Sequence, residues 1–263
     1  MQIQSLGYRI HLIFPRFDGE VTDRGDYTVI RTPTNPGYYW GNFLLFARPP
    51  QKGDLERWQE LFAKEIGRPT AVNHIVFGWD SPEGTQGEIA PFLDAGFRLA
   101  EHLIMSAQAV HPPPKWNDAV TIRPIRGDQE WEQALDISLR CFPAEEHGES
   151  YAPFMRREMV RFRRMSEAGR GHWFGAFLEN QMVAGLGLFF EDGVGSFEQV
   201  GTHPDFQRQG ICSTLVFRAA KYAFQPMGVH TLALAADEDY HAEKIYESVG
   251  FKVVERQVGL EKW

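Results

Sequence analysis

Cysteine is nearly missing from this sequence. The 263 residues hold two, Cys141 and Cys212, far apart in the chain. That excludes a disulfide-stapled scaffold, and neither cysteine has a partner at metal-ligand spacing, so no metal is expected. No apolar run approaches the roughly 20 residues that a membrane-spanning helix needs. The opening MQIQSLGYRIHLIF lacks a basic stretch ahead of a long apolar segment, so no secretory leader is expected. Positive charge is also short: 27 Lys and Arg stand against 35 Asp and Glu, for a formal net charge of −8. Long-range attraction of nucleic acid is therefore disfavoured. These absences leave a cytoplasmic protein, monomer or homodimer, with neither membrane nor nucleic acid as a partner.

What is present builds cores. Hydrophobic residues make up 43% and aromatic residues 13%, enough for one large or two ordinary domains. The clearest boundary is His111-Pro112-Pro113-Pro114-Lys115, because three consecutive prolines make a stiff, extended spacer. The expected division is 1–110, a linker at 111–115, and 116–263. In the first part, 8–14, 27–31, 42–46 and 74–79 read as strands. Asp54 is placed to cap a helix that gathers Leu55, Trp58, Leu61, Phe62 and Ile66 on one face. A short helix over 90–95 ends at Gly96. In the second part a strand near 119–125 starts a fresh sheet. Helices are expected over 128–141, 151–168 and 240–249, and strands over 173–178, 182–190, 195–202 and 229–236. Segments 251–254 and 258–263 should finish that second sheet.

The two parts repeat one plan. Setting Gly96-Phe97 against Gly250-Phe251 gives an offset of 154, which also places Pro50 opposite Pro204 and Phe46 opposite Val200. The fold class expected is α/β (α+β), with two tandem domains, each a mixed twisted sheet flanked by helices.

The chemistry concentrates in FEQVGTHPDFQRQGICS (197–213). A short apolar strand stops at Pro204, and a glycine-containing loop then opens a helix. The first turn of a helix carries unpaired N–H groups and the positive end of the dipole. A glycine there lets a phosphate approach the backbone. Gln207-x-x-Gly210-x-Cys212 after Val200-Gly201-Thr202-His203-Pro204 resembles the pyrophosphate loop of the GNAT superfamily of N-acetyltransferases. Cys212 stands where that family has Gly or Ala. Asp239-x-x-Ala242-x-x-x-Tyr246-x-x-x-Gly250-Phe251 is similar to a second motif of the family, with Asp239 in place of its asparagine.

The resemblance implies acetyl-CoA as cosubstrate and a small-molecule primary amine as acceptor, with direct transfer in a ternary complex. It places Gln207, Arg208, Gln209, Gly210, Ile211, Cys212 and Ser213 at the pyrophosphate, and Val200, Gly201 and Thr202 along the pantetheine and thioester. Asp239 falls at the pantetheine arm, and Tyr246 beside the sulfur as general acid. Glu198 is the candidate general base, since strand alternation puts it on the face of Val200 and Thr202. Glu145, Glu146 and Glu149 lie where the family builds its acceptor pocket and suit a cationic amine; a solvated acidic loop is the plainer alternative. Arg157, Arg161 and Arg164 share a helical face that reads as solvated or paired to that loop. The first half lacks this equipment: Gly53 and Glu56 stand opposite Gln207 and Gly210, and Phe92 opposite Tyr246. A CoA-binding sensor without turnover, or an enzyme acting on a protein N-terminus or lysine, are the competing expectations.

Overall fold

The computed structural model describes residues 1–67, 74–141, 151–236 and 242–263. In chain order they form α1 (Leu6–His11), α2 (Ile13–Asp18), β1 (Glu20–Asp23), β2 (Tyr27–Arg31), β3 (Phe43–Phe46), α3 (Asp54–Glu65), β4 (Ile75–Trp79), α4 (Ala90–Asp94) and β5 (Arg98–Ala107). Then follow β6 (Thr121–Pro124), α5 (Gly127–Cys141), α6 (Tyr151–Glu167), β7 (Gly171–Leu178), β8 (Gln181–Glu191), β9 (Val194–Thr202), α7 (Ile211–Phe224), β10 (Thr231–Ala236), α8 (Ala242–Glu247) and β11 (Lys252–Lys262). Among the described residues no helix is long and apolar enough to cross a membrane.

Two compact units emerge: Met1–Ile104 with Val254–Trp263, and Met105–Val253. The boundaries fall inside β5 and β11, not at the three prolines. The expected division at 111–115 therefore differs from the compact units in one large respect: 254–263 belongs with the first.

In the first unit, β1 to β2 and β2 to β3 run antiparallel, β3 and β4 run parallel, and β11 lies antiparallel to β4 with Gly259 opposite Gly78. The segment 258–263 thus extends the first sheet, not the second as its sequence position suggested. Its Val258 and Leu260 enter the core built on Phe46, Trp58, Phe77 and Phe92. Phe46 and Trp58 stack with ring centroids 3.8 Å apart.

Segment 8–14 is helical, contrary to the strand expected from its apolar run. Its helix start is capped from a distance. Asp80 accepts hydrogen bonds from the N–H groups of Gln4 and Ser5, both at 2.8 Å, and Glu255 accepts from the Gly7 N–H and the Ser5 hydroxyl, both at 3.1 Å. Carboxylates supplied by distant segments settle the helix-or-strand ambiguity of a short apolar run. Asp54 also departs from expectation. It is the first residue of α3, behind Gly53 in left-handed geometry, and its carboxylate accepts from the Gln51 N–H at 2.9 Å.

In the second unit, β6, β7, β8 and β9 form an antiparallel meander, and β10 adds parallel to β9. Phe162 of α6 packs on Trp173 and Phe189 on one face of this sheet. On the other face Phe174, Leu188 and Leu232 meet α7 through Leu215, Val216 and Ala219. The offset of 154 carries β3, α3, β4, α4 and β5 onto β9, α7, β10, α8 and β11. Both repeats open their long helix behind a left-handed glycine, Gly53 at φ 88° and Gly210 at φ 80°.

Candidate active site

The site is one continuous stretch, β9 through the start of α7. Opposite Gly185–Gly187 of β8 the register of β9 slips, and Gln199 adopts φ 49°. One extra residue is thereby inserted, which breaks the two-residue alternation of side chains. Phe197 and Val200 consequently both pack toward the α7 core, and a Cβ on Gly201 would meet Cys141 of α5 at 2.8 Å. The expectation that Glu198 and Val200 share a face is corrected: the bulge sends Glu198 to the α6 side. There the Ser196 hydroxyl donates to Glu198 at 2.6 Å, and the buried Glu158–Arg161 pair, 3.0 Å apart, lies close enough to act on it electrostatically. Desolvation is the largest influence and, with the nearby Glu158 charge, pushes the Glu198 carboxyl up to about 7, against the Ser196 hydrogen bond and Arg161.

Beside the bulge, β9 also parts from β10. Their ladder joins Val194, Gly195 and Ser196 to Thr231, Leu232 and Ala233. Beyond those pairs, Phe197–Thr202 and Leu234–Ala236 no longer pair with each other. Among the described residues, none pairs with Val200, Gly201 and Thr202 on the β10 side of β9.

The chain then turns through Pro204–Phe206 into 207–210. Arg208 takes φ 61° and Gly210 φ 80°. The carbonyls of this loop are occupied from behind. Lys115 Nζ donates to the Arg208 carbonyl, Asn117 Nδ2 to that of Gln209 at 3.0 Å, and Thr214 and Ser213 hydroxyls to that of Gly210 at 2.7 and 3.2 Å. With three successive carbonyls held on one side, the N–H groups of the loop and of the first turn of α7 are left in an arrangement that can receive an anion. Gly210 is required twice over: by its positive φ, and because a Cβ would stand 2.6 Å from the Lys115 carbonyl oxygen. A phosphate-bearing cosubstrate fits this loop.

Of the other expected site residues, Gln207 is exposed and reaches back to the Thr202 carbonyl at 3.4 Å, and Gln209 is exposed. Ile211 is buried in the core, so only its backbone faces the loop. Cys212 packs at the core edge; burial pushes its thiol up to about 11 despite the neighbouring Thr202 side chain. Cys141 donates to the Thr202 carbonyl at 3.3 Å, and burial raises it too, to about 11. Two thiols remote in sequence therefore flank the end of β9, both held neutral. Tyr246 is buried on α8, its ring 6.0 Å from that of Phe251. Glu145, Glu146, Glu149 and Asp239 lie outside the described residues.

Sequence reasoning missed four participants. Tyr151 donates to Gln199 Oε1 at 3.3 Å, next to the bulge. Lys115 ends the expected spacer and Asn117 lies just beyond it, and nothing local marks either. Arg161 was placed on a solvated face with Arg157 and Arg164, and this is corrected: it is 2% exposed beside Glu158, while the other two lie outside. Its signal was available, since Met155, Met159 and Phe162 surround it on the apolar side of the helix. Among the described residues no cluster of three or more His, Cys, Asp or Glu is arranged to hold a metal.

Comparison with known proteins agrees with this geometry. Residues 131–251 match the model of the acetyltransferase (GNAT) family. No curated protein matches the chain. A GCN5-related N-acetyltransferase from Kribbella flavida superposes with a TM-score of 0.69 at 15% identity, over 98% of this chain and 96% of its own. A functionally unknown conserved protein from Staphylococcus epidermidis gives 0.68 at 17% identity, over 93% and 94%. A tandem GNAT protein from the clavulanic acid biosynthesis pathway gives 0.52 at 14% identity, over 78% and 67%. At such identities these likenesses show the fold. Residues 131–251 thus match the acetyltransferase (GNAT) family, and the chain has the fold of GNAT proteins.

Proposed function

We propose that the second unit moves an acetyl group from acetyl-CoA to the primary amine of a small molecule, directly, in a ternary complex. The family fold supports acyl transfer from acetyl-CoA in general; the amine and the residue roles are our reading. The observation that carries it is the continuity of the bulge in β9 with the left-handed loop and helix start that follow it, within 197–213.

Acetyl-CoA supplies a thioester, whose carbonyl carbon accepts the nucleophile. Backbone N–H groups at 207–213 hold the diphosphate. The β10 side of β9 at Val200, Gly201 and Thr202 presents backbone groups to an amide-bearing arm and to the thioester oxygen, as a strand edge accepts an added strand. An amine is mostly protonated at neutral pH, so attack needs a base. Glu198, raised to about 7, is matched to that task. Tyr246 donates a proton to the departing sulfur, a role suited to a phenol.

Two outcomes test the assignment. Tyr246→Phe is expected to lower kcat about a hundredfold with little change in KM for acetyl-CoA, read as CoA-thiol release against a panel of small amines. Unchanged turnover removes the acid role, and thiol release with no amine on the panel removes the substrate class. Lys115→Ala combined with Asn117→Ala is expected to raise KM for acetyl-CoA about tenfold at near-constant kcat. Both side chains hold loop carbonyls, and two net hydrogen bonds amount to roughly that factor.

A further inference from the structure

The bulge in β9 holds a side chain where backbone geometry favours glycine. Gln199 and Val200 together stand opposite Leu186, between the pairs Glu198–Gly187 and Gly201–Gly185. Gln199 takes a left-handed φ of 49°, the setting in which a bulge of this kind ordinarily has glycine. A side chain there costs about as much as one hydrogen bond returns. The opposing strand gives room and no grip. Gly185 and Gly187 have no side chains, and a Cβ on Gly187 would come within 3.3 Å of the Glu198 Cβ.

The grip comes from α6. Tyr151, the first residue of that helix, donates its hydroxyl to Gln199 Oε1 at 3.3 Å. Tyr151 is half-buried, and its ring lies 6.0 Å from that of Phe154. Burial, with Cys141 nearby, keeps its phenol above the ordinary value, so it stays protonated and remains a donor. Cys141, at the end of α5, donates to the Thr202 carbonyl at 3.3 Å. The end of one helix and the start of the next therefore hold β9 at its bulge and three residues beyond.

Without Tyr151, Gln199 can relax out of its strained setting, and a regular β9 returns Glu198 and Val200 to one face. We propose that Tyr151 is a positioning residue for the transfer. Through Gln199 it holds the bulge, and so keeps Glu198 on the α6 side while Val200 packs toward α7. The inference rests on the acetyl-transfer reading above and gives Tyr151 no contact with either substrate.

The test measures kcat and KM on the full chain, by CoA-thiol release with an amine that the wild type acetylates. Tyr151→Phe and, separately, Gln199→Ala are expected to lower kcat about fivefold, the loss of one net hydrogen bond, with KM for acetyl-CoA unchanged. Combining the two should cost no more than either alone. Gln199→Gly should return kcat to within about twofold of wild type, because glycine takes this φ without strain. Adding Tyr151→Phe to Gln199→Gly should then change nothing. If Tyr151→Phe does not fold, the two Gln199 variants carry the test. Wild-type kcat in Tyr151→Phe and Gln199→Ala, a kcat in Gln199→Gly as low as in Gln199→Ala, or a fivefold loss from Tyr151→Phe in the Gln199→Gly background overturns the positioning role and leaves acetyl transfer standing. A wild-type chain that acetylates no amine overturns both.

Discussion

Glu198→Gln is expected to lower kcat at least a hundredfold and, above pH 7, to raise the melting temperature. The two effects have one origin. Burial holds the carboxyl at about 7, so near neutrality it exists as both acid and base. In the wild type kcat/KM should climb with pH and level off above about 7, because only the ionised form accepts the amine proton. Stability moves the other way. The folded chain keeps a proton that the unfolded chain releases at the ordinary carboxylate value of 4.5, so between about 4.5 and 7 the folded state binds more protons. Stability from this group is fully present below 4.5 and is lost as pH rises through 7. An uncharged amide of the same shape escapes that loss, giving about 3 kcal/mol at pH 8 and less than about 1 kcal/mol at pH 5. Thermal melts at the two pH values, beside a pH–rate profile, check both halves. Full activity in the variant would exclude Glu198 as the base. A melting gain of equal size at both pH values would trace the effect to packing.

Gly210→Ala should abolish useful acetyl-CoA binding, with Kd rising about a hundredfold, the equivalent of losing two charge-assisted hydrogen bonds. The residue is held at φ 80° and its absent Cβ would overlap the Lys115 carbonyl, which is backbone and does not yield. Relief requires the loop to move off Lys115 and Asn117, turning its N–H groups away from the ligand. Strain adds about 1–3 kcal/mol to the cost of folding. Gly53→Ala is the matched comparison. It has φ 88° and likewise directly precedes the long helix of its repeat, and a Cβ there would have no atom within 4 Å among the described residues. That variant should show a smaller stability loss and unaltered acetyl-CoA affinity. Calorimetry with acetyl-CoA separates them, and wild-type affinity in Gly210→Ala would remove 207–213 from the site.

The parts of this molecule legible in its sequence are those fixed by neighbours along the chain. The loop with Gly210, the hairpin of β7 and β8, and the apolar face of α3 all follow from local spacing. The 154-residue offset was visible because each repeat carries its own landmarks. What escaped depended on contacts between remote segments. Segment 8–14 has no helix-start signal of its own beyond Ser5; Asp80 and Glu255 provide it. The bulge at Gln199 has no glycine to announce it, and it reversed the facing of Glu198 relative to Val200. Cys141 and Cys212 gave no hint that both would lie against Thr202. Arg161 looked solvated because charge was weighed ahead of the apolar residues around it.

The placement of β11 bears on how the protein is made. Segment 254–262 supplies an edge for β4, two core side chains, and the carboxylate that caps α1. The first hundred residues leave the ribosome with that edge unfilled and that cap missing, and they stay so until synthesis has passed through everything between. A nascent N-terminal unit therefore waits with an open strand, a condition in which chains pair with the wrong partner. The second unit, whose described strands β6–β10 are contiguous in sequence, can close around its own core first. In order of synthesis, the strand and the cap that complete the first unit come after the whole of the second.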